Sequence, residues 1–137
     1  MRSGKKVAEA SNMKKNTLLR MQGKTIHLLR VKHARTLGER FKGLMGVSPH
    51  EHDYALVFHL DQKGILNASI HMFFMRMPID VLFLNEKKQI VDIVQRLKPW
   101  TLHYSPSNPA KFVVELPAGT LGFLEKEKNT KNFRVNW

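Results

Sequence analysis

A chain of 137 residues with 42% apolar content supports one domain with a sizeable core, and excludes both a disordered polypeptide and two ordinary domains. Cysteine is absent, which excludes disulfides, thiolate metal sites and a cysteine nucleophile and suits a reducing compartment, so a cytoplasmic location is expected. The net charge of +12 sits at one end: residues 1–42 hold 12 of the 23 basic residues against only Glu9 and Glu39, whereas the remainder is nearly balanced.

Residues 1–16 are basic and short of large apolar side chains, so they are expected to form a flexible tail, with Met13 as a candidate alternative start. The rest, 17–137, reads as a single mainly-β domain. Thr17–Met21 and Thr25–Val31 flank Gln22-Gly23-Lys24, which predicts a hairpin turning at the glycine. Thr36-Leu37-Gly38-Glu39 has the spacing of a capping box, in which the hydroxyl and the carboxylate each accept from a free backbone N–H. Leu37, Phe41, Leu44 and Met45 then recur at helical spacing, and Gly43 and Gly46 lie where a helix would stop, predicting one short amphipathic helix from about Leu37 to Leu44. Ala55–Phe58 reads as a buried strand and Asp61–Gly64 as a turn.

The densest apolar stretch runs from Ser69 to Asp92. Pro78 has no N–H for a ladder and divides it into two predicted strands, Ser69–Phe74 and Ile79–Leu84. A turn at Asn85–Lys88 leads into Gln89–Val94, which alternates as a half-buried strand does. Lys111–Leu116 is a further strand closed by Pro117-Ala118-Gly119, and a helical turn and a strand around Phe133–Val135 end the chain. Many short strands, one helix and no βαβ alternation predict an antiparallel sandwich or barrel. No apolar run is long enough to span a bilayer, so no membrane partner is expected.

Two carboxylates stand out because strand alternation puts each on an apolar face: Asp80 beside Leu82 and Leu84, and Glu115 beside Val113. A buried charge needs a partner or it takes up a proton, and Arg40 is the candidate partner. Arg40, His71, Asp80 and Glu115 thus form either a structural ion-pair network or a polar pocket. In the pocket version Arg40 holds a small anionic ligand and a carboxylate acts as acid or base; two carboxylates side by side would be the arrangement of glycosidases. His50 and His52 could supply half of a metal site, and His71 with Met45, Met72, Met75 and Met77 could supply soft ligands for Cu(I). Neither set has a further ligand, and methionine more often fills a core, so no metal or cofactor is assigned. Known catalytic motifs are missing, which leaves catalytic residues unassigned. The basic series Lys14, Lys15, Arg20, Lys24, Arg30, Lys32 and Arg35 would give weak, non-specific contact with nucleic acid if it formed one face.

Three segments occur in a telling order: Glu39-Arg40-Phe41-Lys42-Gly43-Leu44-Met45, then His71 to Asp80 (HMFFMRMPID), then Val113 to Thr120 (VVELPAGT), with Leu97-Lys98-Pro99-Trp100 between the last two. In these the chain resembles the uncharacterised family catalogued as domain of unknown function 192, over roughly Lys24 to Gly122. The resemblance implies a compact, mainly β domain and no agreed activity. Phe74-Met75-Arg76-Met77 stands where many members of that family have Trp-Met-Asn-Thr, and Glu125–Asn129 replaces their Gly-Asp turn. The expected function is accordingly that of a small binding or accessory module, with an enzyme using Asp80 and Glu115 as the alternative.

Overall fold

The computed structural model describes residues 18–137, so the predicted tail at residues 1–16 lies outside the described residues. Nine elements follow in order: β1 (Leu19–Gln22), β2 (Thr25–Leu28), β3 (Val31–Ala34), α1 (Leu37–Lys42), β4 (Ala55–Gly64), β5 (Ile79–Leu84), β6 (Ile90–Leu97), β7 (Ala110–Pro117) and β8 (Arg134–Asn136). Two 3-10 turns, Gly122–Lys126 and Thr130–Asn132, lie between the last two strands. The strands form a five-stranded sheet in the order β3-β4-β7-β5-β6 and a three-stranded sheet in the order β1-β2-β8. The architecture is mainly β and sandwich-like, without a closed barrel. Most pairings are antiparallel as expected, but β3 runs parallel to β4 and β8 runs parallel to β2.

The first hairpin turns at Gly23, whose φ of +60° is easily reached by glycine. The segment predicted to continue to Val31 instead divides at Leu29 and Arg30: β2 stays in the small sheet and β3 enters the large one. At β4 the strand passes through Asp61–Gly64, which reads as a turn in sequence. An irregularity in its pairing with β7 between His59 and Gly64 absorbs those polar residues, which lie toward solvent. Ser69–Phe74 forms no regular strand. One bridge, Ile70 with Tyr104, and hydrogen bonds from Met72 N to Thr101 O and from Trp100 N to Met72 O tie it to the loop after β6.

β5 is buried along its whole length because both faces of the large sheet are covered. On one face Leu82, Leu84, Val114 and Leu116 pack with Ile26, Leu28 and Val135 of the small sheet and with Leu121, Leu124 and Phe133. On the other, Val81, Phe83, Val113 and Phe58 pack with Leu44, Met72, Met75 and Met77. The methionines suit that second face, since unbranched side chains fill the irregular space under loops.

Helix α1 bears out the capping box: Glu39 N donates to Thr36 Oγ1 at 3.1 Å, and Thr36 N donates to Glu39 Oε1 at 3.0 Å. Its apolar face is not packed as expected. No residue of α1 is buried, and Leu37 and Phe41 are 76% and 68% exposed. The helix ends at Gly43, with φ +46°, where an added Cβ would lie 3.1 Å from the Phe58 ring. Glycine therefore lets the end of α1 sit tightly on β4 while the rest of the helix stands away from the sheet.

Candidate functional site

The space left under α1 is a cavity of about 580 Å³ on the methionine-rich face of the large sheet. Leu37, Phe41, Leu44 and Met45 wall it on the helix side, Phe58, Leu60 and Val113 on the sheet side, and Ile70, His71 and Met75 on the loop side. The size and the mostly apolar lining are those of a small-molecule site.

Of the four residues singled out in sequence, Arg40, His71 and Glu115 line this cavity and Asp80 does not. The register explains the separation. Val81 pairs with Glu115 and Asp80 pairs with Leu116 across β5 and β7, and cross-strand partners share a face. Asp80 and Glu115, on neighbouring strands, therefore project to opposite sides of the sheet. A paired-carboxylate centre, which needs both acids beside one substrate bond, is not formed.

Asp80 is 0% exposed and ties together two chain reversals. Its Oδ1 accepts from Arg96 N and its Oδ2 from Leu121 N, both at 2.9 Å. Arg96 lies where β6 carries an extra residue against β5, with φ +53°, and Leu121 follows the Pro117–Thr120 turn. The carboxylate thus satisfies an N–H that the irregular ladder would leave unpaired and one at the start of a 3-10 turn. This is a structural arrangement of hydrogen bonds, and Arg40 has no part in it.

Arg40 also does not pair with Glu115. Its Nη1 donates to His59 O at 2.8 Å and its Nη2 to Asp61 Oδ2 at 3.0 Å. Asp61, hidden in sequence by its turn-like neighbours, is the real partner, and the guanidinium holds its carboxyl below the usual range through a hydrogen bond and charge attraction. Arg40 is therefore largely committed rather than free to hold an anionic ligand.

Glu115 is in the opposite situation. It is only 7% exposed and makes no salt bridge or side-chain hydrogen bond with another described residue. Desolvation pushes its carboxyl from an ordinary 4.5 up to about 8, so it holds a proton at neutral pH. The floor of the cavity is thus a neutral carboxylic acid. His71 leaves its buried Nδ1 without a partner, its ring lying between Phe41 and Phe73 at centroid distances of 5.9 and 5.3 Å.

The remaining candidates disperse. His50 is exposed, whereas His52 is buried against Tyr54, and burial lowers its pKa from 6.5 to about 4. Neither of its ring nitrogens has a well-formed hydrogen bond, although nearby carbonyls of Tyr54 and Glu115 offset part of the cost. Met72, Met75 and Met77 are core residues. Among the described residues no group of three or more His, Cys, Asp or Glu side chains is placed to hold a metal. Arg30 pairs with Asp53 and Lys32 lies 4.0 Å over the Tyr54 ring, so part of the basic series is engaged within the domain. No described helix is long and apolar enough to cross a membrane. Sequence reasoning missed the wall residues Leu37 and Phe41 as site residues, because helical periodicity shows that an apolar face exists without showing what covers it.

A two-sheet, mainly-β domain with an apolar cavity on one face of the larger sheet defines the class of structure. The chain belongs to the domain of unknown function 192 family, described as Uncharacterized ACR, which matches residues 17–130. It is 43% identical to a UPF0127 protein of Pyrococcus furiosus over 116 residues, covering 85% of this chain and 92% of that protein. It is 47% identical to a UPF0127 protein of Thermococcus sibiricus over 98 residues, which cover 72% of this chain but only 61% of that relative. In fold it is similar to a Novosphingobium aromaticivorans protein of unknown function, with TM-score 0.68 at 21% identity over 80% of this chain and 77% of that one. No biochemical function is established for the family.

Proposed function

We propose that this single domain, residues 17–137, is a binding module for a small, mainly apolar ligand that enters the cavity under α1 and presents one polar group to Glu115. The observation that carries the reading is the unpartnered acid at the floor of an apolar cavity. Burying a carboxyl without a partner costs stability, so its retention there is better explained by a ligand than by packing. The exposed apolar side of α1 supports the same reading: Leu37 and Phe41 stabilise little in the empty protein and gain burial only when the cavity fills. A cytoplasmic location, suggested by the lack of cysteine, is part of this proposal.

Binding of apolar fragments followed by thermal shift and calorimetry tests it. Phe41→Ala should weaken such ligands about tenfold, the effect of losing one aromatic contact of ~1.4 kcal/mol. The same change should move the melting temperature of the empty protein by less than about 2 °C, because the ring is mostly in solvent. Equal binding by the wild type and Phe41→Ala would overturn the assignment of the cavity.

A further inference from the structure

We propose that the cavity takes an organic ammonium ion: an apolar body carrying one cationic nitrogen that is met by Glu115, with Phe41 and Phe58 in the surrounding wall. The proposal rests on the cavity reading above and adds the charge and class of the ligand. Its basis is a mismatch. In a chain of net charge +12, an almost wholly buried carboxyl has no cation from the described residues beside it. The one guanidinium in the lining is already bonded to Asp61 and to a backbone carbonyl.

The charged and titratable groups around this carboxyl can be taken element by element. Arg40 and Lys42 come from α1, Asp61 from β4 and His71 from the loop before β5. Lys111, two residues from Val113 on the same strand, donates to the carbonyls of Leu60 and Asp61. Tyr54 senses the charge of Glu115, and the His52 ring lies near its carbonyl. None of them forms an ion pair with it.

Three ligand charges can be compared. An anion would face an acid with its nearest arginine already committed. A neutral ligand would gain one hydrogen bond from the carboxyl. An ammonium would gain an ion pair with an almost wholly buried carboxyl, where charges interact more strongly than in water, beside the aromatic side chains of Phe41 and Phe58 in the lining. The proton balance follows. Empty Glu115 carries a proton at neutral pH, and a ligand with an alkylamine pKa near ~10.4 arrives charged. Binding leaves a carboxylate opposite an ammonium, and the carboxyl proton goes to solvent.

The test is calorimetric titration of the full chain with n-hexylamine and with n-hexanol, which matches it in shape and lacks the charge. Titrations run from pH 6 to pH 8 in two buffers of different ionisation enthalpy. Hexylamine should bind at least tenfold more tightly than hexanol at pH 8, with affinity rising at least tenfold from pH 6 and close to one proton released at pH 7. Glu115→Gln should abolish the proton release and the pH dependence of hexylamine binding, and proton release that survives the substitution would overturn the assignment to this carboxyl. Hexanol binding as tightly as hexylamine, or amine binding without proton release, would overturn the ammonium proposal and leave the apolar cavity standing. Failure of both compounds to bind at millimolar concentration would remove both readings.

Discussion

The two faces of the large sheet solve the same problem differently. Each buries an acidic side chain, on adjacent strands and one register step apart. On the face closed by the small sheet, Asp80 receives two backbone N–H groups and becomes part of the frame. On the face roofed by α1 and the methionine-rich loop, Glu115 receives none from the described residues and opens on a cavity. Burial by itself therefore does not identify a functional acid. What separates the two is whether the fold supplies the missing partner.

Removing each acid sharpens that contrast. Asp80→Ala takes the acceptor from a buried donor at Leu121 and a part-buried one at Arg96, and urea unfolding should show a loss of about 3–5 kcal/mol. A loss under ~1 kcal/mol would make Asp80 no more structural than Glu115. The Glu115 face should respond to pH instead. The folded state holds a proton that the unfolded state releases above pH 4.5, so stability falls as pH rises towards about 8. His52 works in the opposite sense: buried neutral, it takes from stability as pH falls from 6.5 towards about 4. Burial lowers His33 and His59 in the same sense as His52, so the histidines oppose Glu115 below 6.5, and pH 6.5–8 is the window in which to read Glu115. Stability should decline there by about 1.5–2 kcal/mol, at ~1.4 kcal/mol per pH unit where the difference is full. Glu115→Gln should flatten that slope and raise stability at pH 8; an unchanged slope would mean that the carboxyl is ionised in the fold.

The smallest effect concerns the roof. Thr36→Ala removes a capping interaction of about 1 kcal/mol. Because no α1 residue is buried, the loss should appear as local fraying rather than global unfolding. Amide exchange in the first turn of α1 should accelerate about fivefold while the urea midpoint stays nearly fixed. A parallel drop in the midpoint would show that the roof and the core unfold together.

Much of this was legible in sequence for definite physical reasons. The capping box is local chemistry, and both its bonds are present. Asp80 and Glu115 were visible as polar interruptions of apolar alternation. Alternation gives only the parity of a residue within its own strand, so the placement of the two acids on opposite faces needed the β5–β7 register. The continuation of β4 through Asp61–Gly64 was hidden by polar residues carried at a pairing irregularity. Ser69–Phe74 misled in the other direction: its apolar side chains are held by a loop-to-loop bridge rather than by a ladder. The Arg40–Asp61 pair spans helix and strand and has no local sequence sign.

The parallel alignment of β8 beside β2 also bears on how the domain is made. His27 and Asn136 approach each other across 109 residues of chain, and Val135 closes the hydrophobic layer that Ile26 begins. Joining segments so far apart requires a large loss of chain freedom before any contact returns it. Topologies dominated by such distant pairings fold slowly. The layer beneath the small sheet is accordingly complete only once β8 is paired with β2. Without that strand the apolar layer over Leu82, Leu84 and Val114 lacks Val135, and uncovered apolar surface of this kind is what makes partly assembled chains prone to aggregation.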